Sequence, residues 1–283
     1  MIQDFLKYKK KLIRKYLPKI IINLLYYLYE HFTNFLYKIL PQKYHLPILF
    51  YIKKYNQSLD PEMLYISKLL TQKRTFVDIG CNEGIFSYYF SSLFENVKSF
   101  DPVREVTKEL SYLNKKKITI FNCALSDKNG EQELFIPIMD TPMDRKLFLY
   151  SHSSLESRFD LFNSDKIEKR LVKISKLDNY SFQNVDLIKI DVEGHESSVI
   201  RGSLETIKNN KPFLIVEIEQ RHIKKKINEV FQEIGQLGYS GYYLKNNNLK
   251  SISTFSYETD QKPYLSSTSN NKRYINNFIF VPK

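Results

Sequence analysis

Three short runs of this chain hold the residues that could do chemistry. The first, Val77-Asp78-Ile79-Gly80-Cys81-Asn82-Glu83-Gly84, ends an apolar run in an acid and follows it with two glycines. A strand, a glycine turn and a helix in that order let a ligand approach backbone N–H groups without Cβ interference. The spacing is Gly-x-x-x-Gly behind an Asp, not the Gly-x-Gly-x-x-Gly of dinucleotide binders. Such an Asp would repel a pyrophosphate, but it can orient the amino group of a cationic amino-acid cofactor. The bland alternative is a tight strand-to-helix turn that needs two glycines. The second run, Phe100-Asp101-Pro102, places an acid 21 residues after Gly80. A carboxylate about that far beyond a glycine turn commonly accepts hydrogen bonds from ribose hydroxyls. Alone, Asp101 would read as a surface residue opening a turn.

The third run is Lys189-Ile190-Asp191-Val192-Glu193-Gly194-His195-Glu196. A buried strand ending in Asp, then two more carboxylates and an imidazole, supplies what general-base chemistry requires. The same oxygens could bind a divalent metal, although one short run supplies few ligands, and none is assigned here. Without such roles His195 is a helix-start residue, and Glu196 is a favourable charge at a helix N-terminus.

The elements that must position these runs alternate. Apolar, β-branched strands are expected at 75–79, 97–100, 118–123, 187–190, 213–218, 239–244 and 278–281. Helices are expected at 85–93, 103–114, 196–209 and 223–237. This βαβα pattern implies a parallel sheet with helices on both faces and ligand sites at the carboxyl ends of its strands. Between residues 136 and 169 the periodicity fades into a segment with Pro137, Pro142, His152, Ser153 and Ser154. A long irregular insert beside a strand-end cleft reads as a lid or acceptor loop.

Of the net charge of +12, residues 1–54 carry +9, so the rest of the chain is near neutral. That argues against a nucleic-acid track on the main domain. The expected organisation is a basic amphipathic helical segment over 1–70 and an α/β domain over 71–283. The apolar stretch at 20–29 is too short to span a bilayer. Residues 1–54 read either as helices packed on the domain or as a cationic hairpin on an anionic membrane surface or a glycosyltransferase partner. Asp60-Pro61 marks a helix start, with Asp60 as cap. Cys81 and Cys123 can form neither a disulfide framework nor a usual zinc site, so a cytoplasmic, reducing compartment is expected, peripheral to the membrane if the hairpin reading holds.

From Thr75 to Lys283 the chain resembles the FkbM family of class I methyltransferases. The resemblance rests on V-D-I-G-x-N-x-G at 77–84, F-D-P at 100–102, A-L-S-D-x-x-G at 124–130 and K-I-D-V-E-G-H-E at 189–196. Arg201-Gly202, P-F-L-I-V-E-I at 212–218 and a closing F-I-F-V-P-K complete it, in the family's order. It implies a Rossmann-like, mostly parallel seven-stranded sheet of order 3-2-1-4-5-7-6, with S-adenosylmethionine across the carboxyl edge of strands 1, 2 and 4. Asp78, Gly80, Cys81, Asn82 and Gly84 would surround the methionine part, Asp101 the ribose and Asp127 the adenine. Cys81 stands where the family often has Ala, and Asp101 where it often has Glu.

The implied reaction is methyl transfer to a hydroxyl oxygen, with a sugar of a glycan or polysaccharide as acceptor. A small natural product is the alternative acceptor. Asp191 would sit under the methyl group, with Glu193, His195 or His152 as base. A divalent metal is the other route to an activated hydroxyl. The run after Asp191 is not the Asn/Asp-Pro-Pro-aromatic sequence of enzymes that methylate base amines, and neither cysteine is placed for base-carbon chemistry. Two rival classes are a dinucleotide enzyme, disfavoured by the glycine spacing, and a non-catalytic cofactor-binding subunit of a membrane-associated glycan-assembly complex. The sequence leaves the oligomeric state open.

Overall fold

The computed structural model describes residues 39–113, 116–138, 153–156, 166–265 and 274–283. His152, most of the basic segment and most of the insert lie outside them. The chain divides into two units, Met1–His45 and Leu46–Lys283. In chain order the strands are β1 (Thr75–Ile79), β2 (Asn96–Phe100), β3 (Ile118–Phe121), β4 (Ala124–Leu125), β5 (Gly130–Ile138) and β6 (Lys166–Ser175). They continue as β7 (Val185–Ile190), β8 (Phe213–Glu217), β9 (Tyr239–Lys245), β10 (Asn248–Ser251) and β11 (Asn277–Pro282). The helices are α1 (His45–Tyr55), α2 (Pro61–Leu69), α3 (Ile85–Phe90), α4 (Arg104–Ser111), α5 (Glu196–Arg201), α6 (Leu204–Asn210), α7 (Ile227–Gln236) and α8 (Tyr257–Asp260).

Strands β1 and β7 are buried at every position, the mark of strands covered on both faces. Alternate residues serve opposite sides. Val77, Ile79, Ile188, Ile190, Leu214 and Val216 pack with Val199, Ile200 and Ile207 of α5 and α6 and with Val230, Phe231 and Ile234 of α7. Phe76, Leu187, Ile215 and Ile279 face the other way, onto Met63 and Ile66 of α2 and Phe86 and Phe90 of α3. The α/β doubly wound fold expected from the sequence is present. Phe50, Met63, Ile66 and Leu70 belong to this second core, within the unit Leu46–Lys283.

The main sheet runs β10-β9-β11-β8-β7-β1-β2-β3, so the expected seven-strand order holds and gains an eighth strand. The addition has a local cause. Asn246 and Asn247 both take positive φ, 52° and 64°, as a two-residue hairpin turn between twisted strands requires. That turn folds β10 back onto β9 in antiparallel register.

Two further differences concern the regions beside the site. The expected irregular insert is flanked by a long antiparallel pair, β5 with β6, joined by β4 into a separate three-stranded sheet. Its inward residues Leu134, Ile136, Val172 and Ile174 bury against Val103 and Val106 next to and within α4. The helix expected over 196–209 is two helices. Asp178 starts the second, accepting hydrogen bonds from the Glu205 and Thr206 N–H groups at 3.1 and 2.8 Å. Asp60 does precede α2, with Pro61 in its first turn, but its side chain makes no capping bond.

Candidate active site

The carboxyl ends of β1, β2, β7 and β8 open on one cavity. Its wall includes Gly80, Asn82, Asp101, Asp191, Glu193, His195 and Glu217, with Phe100, Leu125, Leu134 and Leu155 as apolar surface. Four carboxyl groups therefore line it, and among the described residues of the wall there is no Lys or Arg. Those acids of the wall that carry charge favour a cationic ligand and disfavour a pyrophosphate.

Gly80 is the hinge of this wall. Its φ is +73°, and a Cβ there would lie 1.7 Å from the Asp191 carbonyl oxygen. The first glycine thus lets the ends of β1 and β7 touch, and the Asp191 N–H donates to the Ile79 carbonyl at 3.0 Å. Asp101 is held from two sides: Asn82 N–H donates to Oδ2 at 3.0 Å and Val103 N–H to Oδ1 at 2.9 Å. Burial nevertheless pushes its carboxyl up to about 7, against the pull of those two donors.

Asp78, expected in the methionine cradle, is not among the residues that line the cavity. Strand alternation turns it to the α3 side, fully buried, where Ser87 Oγ donates to Oδ2 at 2.6 Å. Its Oδ1 has no hydrogen-bond partner among the described residues. Burial raises its pKa, opposed by the charge of Lys189, its register neighbour on β7. Cys81 packs with Leu46 and Leu110, and Gly84 caps α3 against Leu110, so neither lines the cavity. Asp127 does not reach it either: Arg201 binds its Oδ2 through Nε and Nη2, at 3.0 and 2.8 Å.

The Asp191–Glu196 run is spread over several partners. Asp191 accepts from Lys189 Nζ at 2.7 Å. Burial would lower the Lys189 pKa, but Asp191, Asp78 and Glu217 outweigh it and raise it. Glu193 adopts φ 52°, and its Oε2 lies 2.7 Å from His222 Nδ1. Both nitrogens of His195 are engaged, Nε2 with Ser126 Oγ at 2.9 Å and Nδ1 with Glu156 Oε1 at 2.8 Å. Ser154 Oγ donates to the Glu193 carbonyl at 2.7 Å, and residues 153–155 line one side of the cavity. Glu196 accepts from Gly194 N–H at 2.8 Å, and burial pushes its carboxyl up to about 7.

Several site residues escaped the sequence reading. Glu217 lines the cavity and accepts from Asn276 Nδ2 at 2.7 Å. Burial, then the charges of Asp191, Glu193 and Glu219, drive its pKa well above the carboxylate range. Its signal was present: β8 ends in an acid at the same edge where Asp191 follows β7. His222, Ser126 and Glu156 gave no comparable signal, because their partners are distant in sequence. Among the described residues, no three His, Cys, Asp or Glu side chains are grouped to share a metal ion. Nor is any described helix long and apolar enough to cross a membrane.

The chain is 26% identical over 183 residues to the 2-O-methyltransferase NoeI of Sinorhizobium fredii (strain NBRC 101917 / NGR234), covering 61% of this chain and 74% of that one. Among solved structures it is similar to Methyltransferase FkbM from Methylobacillus flagellatus KT, at 16% identity and a TM-score of 0.45. That match covers 74% of this chain, which spans 43% of the M. flagellatus chain. An rRNA methylase from Streptococcus thermophilus matches at 10% identity and a TM-score of 0.40, over 80% of this chain and 97% of that one. Residues 78–240, more than half of the chain, match the model of the methyltransferase FkbM domain. The chain belongs to the FkbM family of S-adenosylmethionine-dependent methyltransferases.

Proposed function

We propose that this chain binds S-adenosylmethionine in the β1/β2/β7 cavity and transfers its methyl group to a hydroxyl oxygen of a sugar. The observation that carries the reading is the wall of four carboxyl groups, with no Lys or Arg among its described residues, beside a Gly80 turn that no side chain could occupy. These residues fit a cationic amino-acid nucleoside. Gly80 and Asn82 would hold the methionine part, Asp101 would accept from ribose hydroxyls, and Phe100 and Leu125 offer apolar surface to a base. When bound, the cofactor supplies a methyl group on a positively charged sulfur.

The protein's own tasks are then alignment and removal of a proton. Asp191, fixed by Lys189, is a stationary anion at the end of β7 and favours positive charge beside it. Asp191, Glu193 and His195 all line the cavity, and each is within the set expected to serve as base or electrostatic support. An oxygen acceptor is supported by the relative named as a 2-O-methyltransferase. The sugar class is supported by the family resemblance and by the serine hydroxyls at 153 and 154 in the wall.

Calorimetric titration with S-adenosylmethionine and with NAD tests the cofactor. Incubation with labelled S-adenosylmethionine and a panel of methyl glycosides, read by mass spectrometry, tests the acceptor. Binding of NAD alone would overturn the reading. Cofactor binding with no methylated product from sugars or small hydroxylated compounds would favour a non-catalytic subunit.

A further inference from the structure

We propose that His222 is a positioning residue that holds the Glu193 carboxylate at the cavity wall, where Glu193 takes the acceptor's hydroxyl proton. The inference rests on the methyl-transfer reading above and adds a residue that lies 29 positions after Glu193.

The contact is built into the backbone. Glu193 sits in the left-handed region at φ 52°, a conformation that costs a non-glycine residue energy and persists only where the surroundings enforce it. Gly194 follows at φ +100°, and a Cβ there would lie 2.3 Å from the His222 carbonyl oxygen. The loops after β7 and β8 can meet this closely only because residue 194 is glycine. Their meeting brings His222 Nδ1 to 2.7 Å from Glu193 Oε2.

The imidazole is supported from behind. Glu219 Oε2 lies 4.0 Å from His222 Nε2 and is itself bound by Arg221 and by the Tyr274 hydroxyl. The charged groups acting on His222 are Glu193, Glu219 and Arg221, and Glu196 also feels it. Burial pulls the imidazole pKa down, but the hydrogen bond and charge of Glu193, with Glu219, prevail and raise it. Among the other groups on the wall, Asp191 is tied to the buried Lys189, and both His195 nitrogens are engaged. Glu193 has one oxygen held by His222 and lines the cavity.

The balance of the step is simple. As the acceptor oxygen forms its bond to the methyl carbon, its proton passes to Glu193, and the electron pair of the broken carbon–sulfur bond stays with sulfur. The proton then leaves Glu193 for solvent when product departs.

The test uses the full chain with isotope-labelled histidines, as wild type and as Glu193→Gln, His222→Ala and His222→Asn. By NMR, the His222 resonance of the wild type should titrate above the ordinary value of about 6.5, and Glu193→Gln should move it down. Binding of S-adenosylmethionine, measured by calorimetry, should stay within about threefold of wild type in the His222 variants, which also checks folding. On a methyl glycoside that the wild type methylates, His222→Ala should lower kcat by about 100-fold with little change in KM. His222→Asn, whose amide nitrogen can stand near the Nδ1 position, should recover about tenfold of that loss. An ordinary His222 titration unmoved by Glu193→Gln would overturn the proposal, as would equal losses in both His222 variants or a loss confined to KM. A chain that binds S-adenosylmethionine and shows the linked titration, yet methylates no glycoside, would remove the sugar acceptor and keep the Glu193–His222 pair.

Discussion

Gly80 and Asp191 meet so closely that the position of a single hydrogen separates them from collision: a Cβ on Gly80 would lie 1.7 Å from the Asp191 carbonyl oxygen. The two residues directly follow neighbouring parallel strands, and both line the cavity. Gly80→Ala combines a left-handed backbone with this clash and should cost about 2–5 kcal/mol of stability. It should also abolish S-adenosylmethionine binding at temperatures where the variant remains folded. Urea denaturation and calorimetry measure the two effects, and an Ala variant with wild-type affinity would refute the assigned seat.

Asp101 should make cofactor affinity depend on pH near neutrality. Its carboxyl, pushed up to about 7 by burial, carries its full charge only above that value. Ribose hydroxyls donate best to an ionised acceptor, so affinity should rise with pH from 6 to 8, by at most about tenfold per unit below the pKa. Asp101→Asn should flatten this dependence. A wild-type dissociation constant that is level across the range would contradict the assignment.

Glu196 should set a pH dependence of stability. Its carboxyl moves from an ordinary value of 4.5 to about 7 in the fold, because burial outweighs the Gly194 N–H. The native state therefore keeps a proton that the unfolded chain releases between these values. The sign follows: this contribution is intact below about 4.5 and lost as pH rises to about 7, to the order of 3 kcal/mol. Glu196→Gln keeps the oxygen facing Gly194 and should remove that loss, raising Tm relative to wild type at pH 8 more than at pH 5. Parallel Tm–pH curves for the two proteins would count against it.

Lys189 is the cation that Asp78, Asp191 and Glu217 share. Lys189→Met would leave those carboxylates uncompensated and should destabilise the protein by about 3 kcal/mol. Because the cofactor is itself cationic, saturating S-adenosylmethionine should raise the Tm of this variant more than that of wild type. Equal ligand-induced shifts in differential scanning fluorimetry would disprove the electrostatic link.

Asp127 provides the contrast. Its carboxylate is engaged by Arg201 at the surface, away from the cavity wall. Asp127→Ala should leave the cofactor dissociation constant within about twofold and cost under about 1 kcal/mol. A large loss of affinity would restore the residue to the adenine site.

Much of the frame was legible because strand and helix periods, glycine turns and strand-end acids are local signals. The β1 turn, Asp101 after β2 and the Asp191–Glu196 run all fall at the carboxyl edge expected of them. The β5–β6 pair was not legible, since β6 alternates Leu171, Val172, Lys173 and Ile174, and the exposed Leu171 blurs the pattern. The eighth strand depended on two asparagines taking positive φ, which composition permits without requiring.

By itself, then, the sequence determined which residue types stand at the end of each strand, and with them which acids and glycines meet at the carboxyl edge. Only the tertiary structure decided where those side chains point and whom they meet. Strand alternation turned Asp78 inward to Ser87, and Arg201 drew Asp127 away from the cavity. The approach of the β7 and β8 loops put His222 beside Glu193, and residues 153–156 brought Glu156 to His195. The physical reason is range. A turn or a strand end is fixed by residues a few positions apart, whereas the charge and direction of a side chain are set by partners tens of residues away.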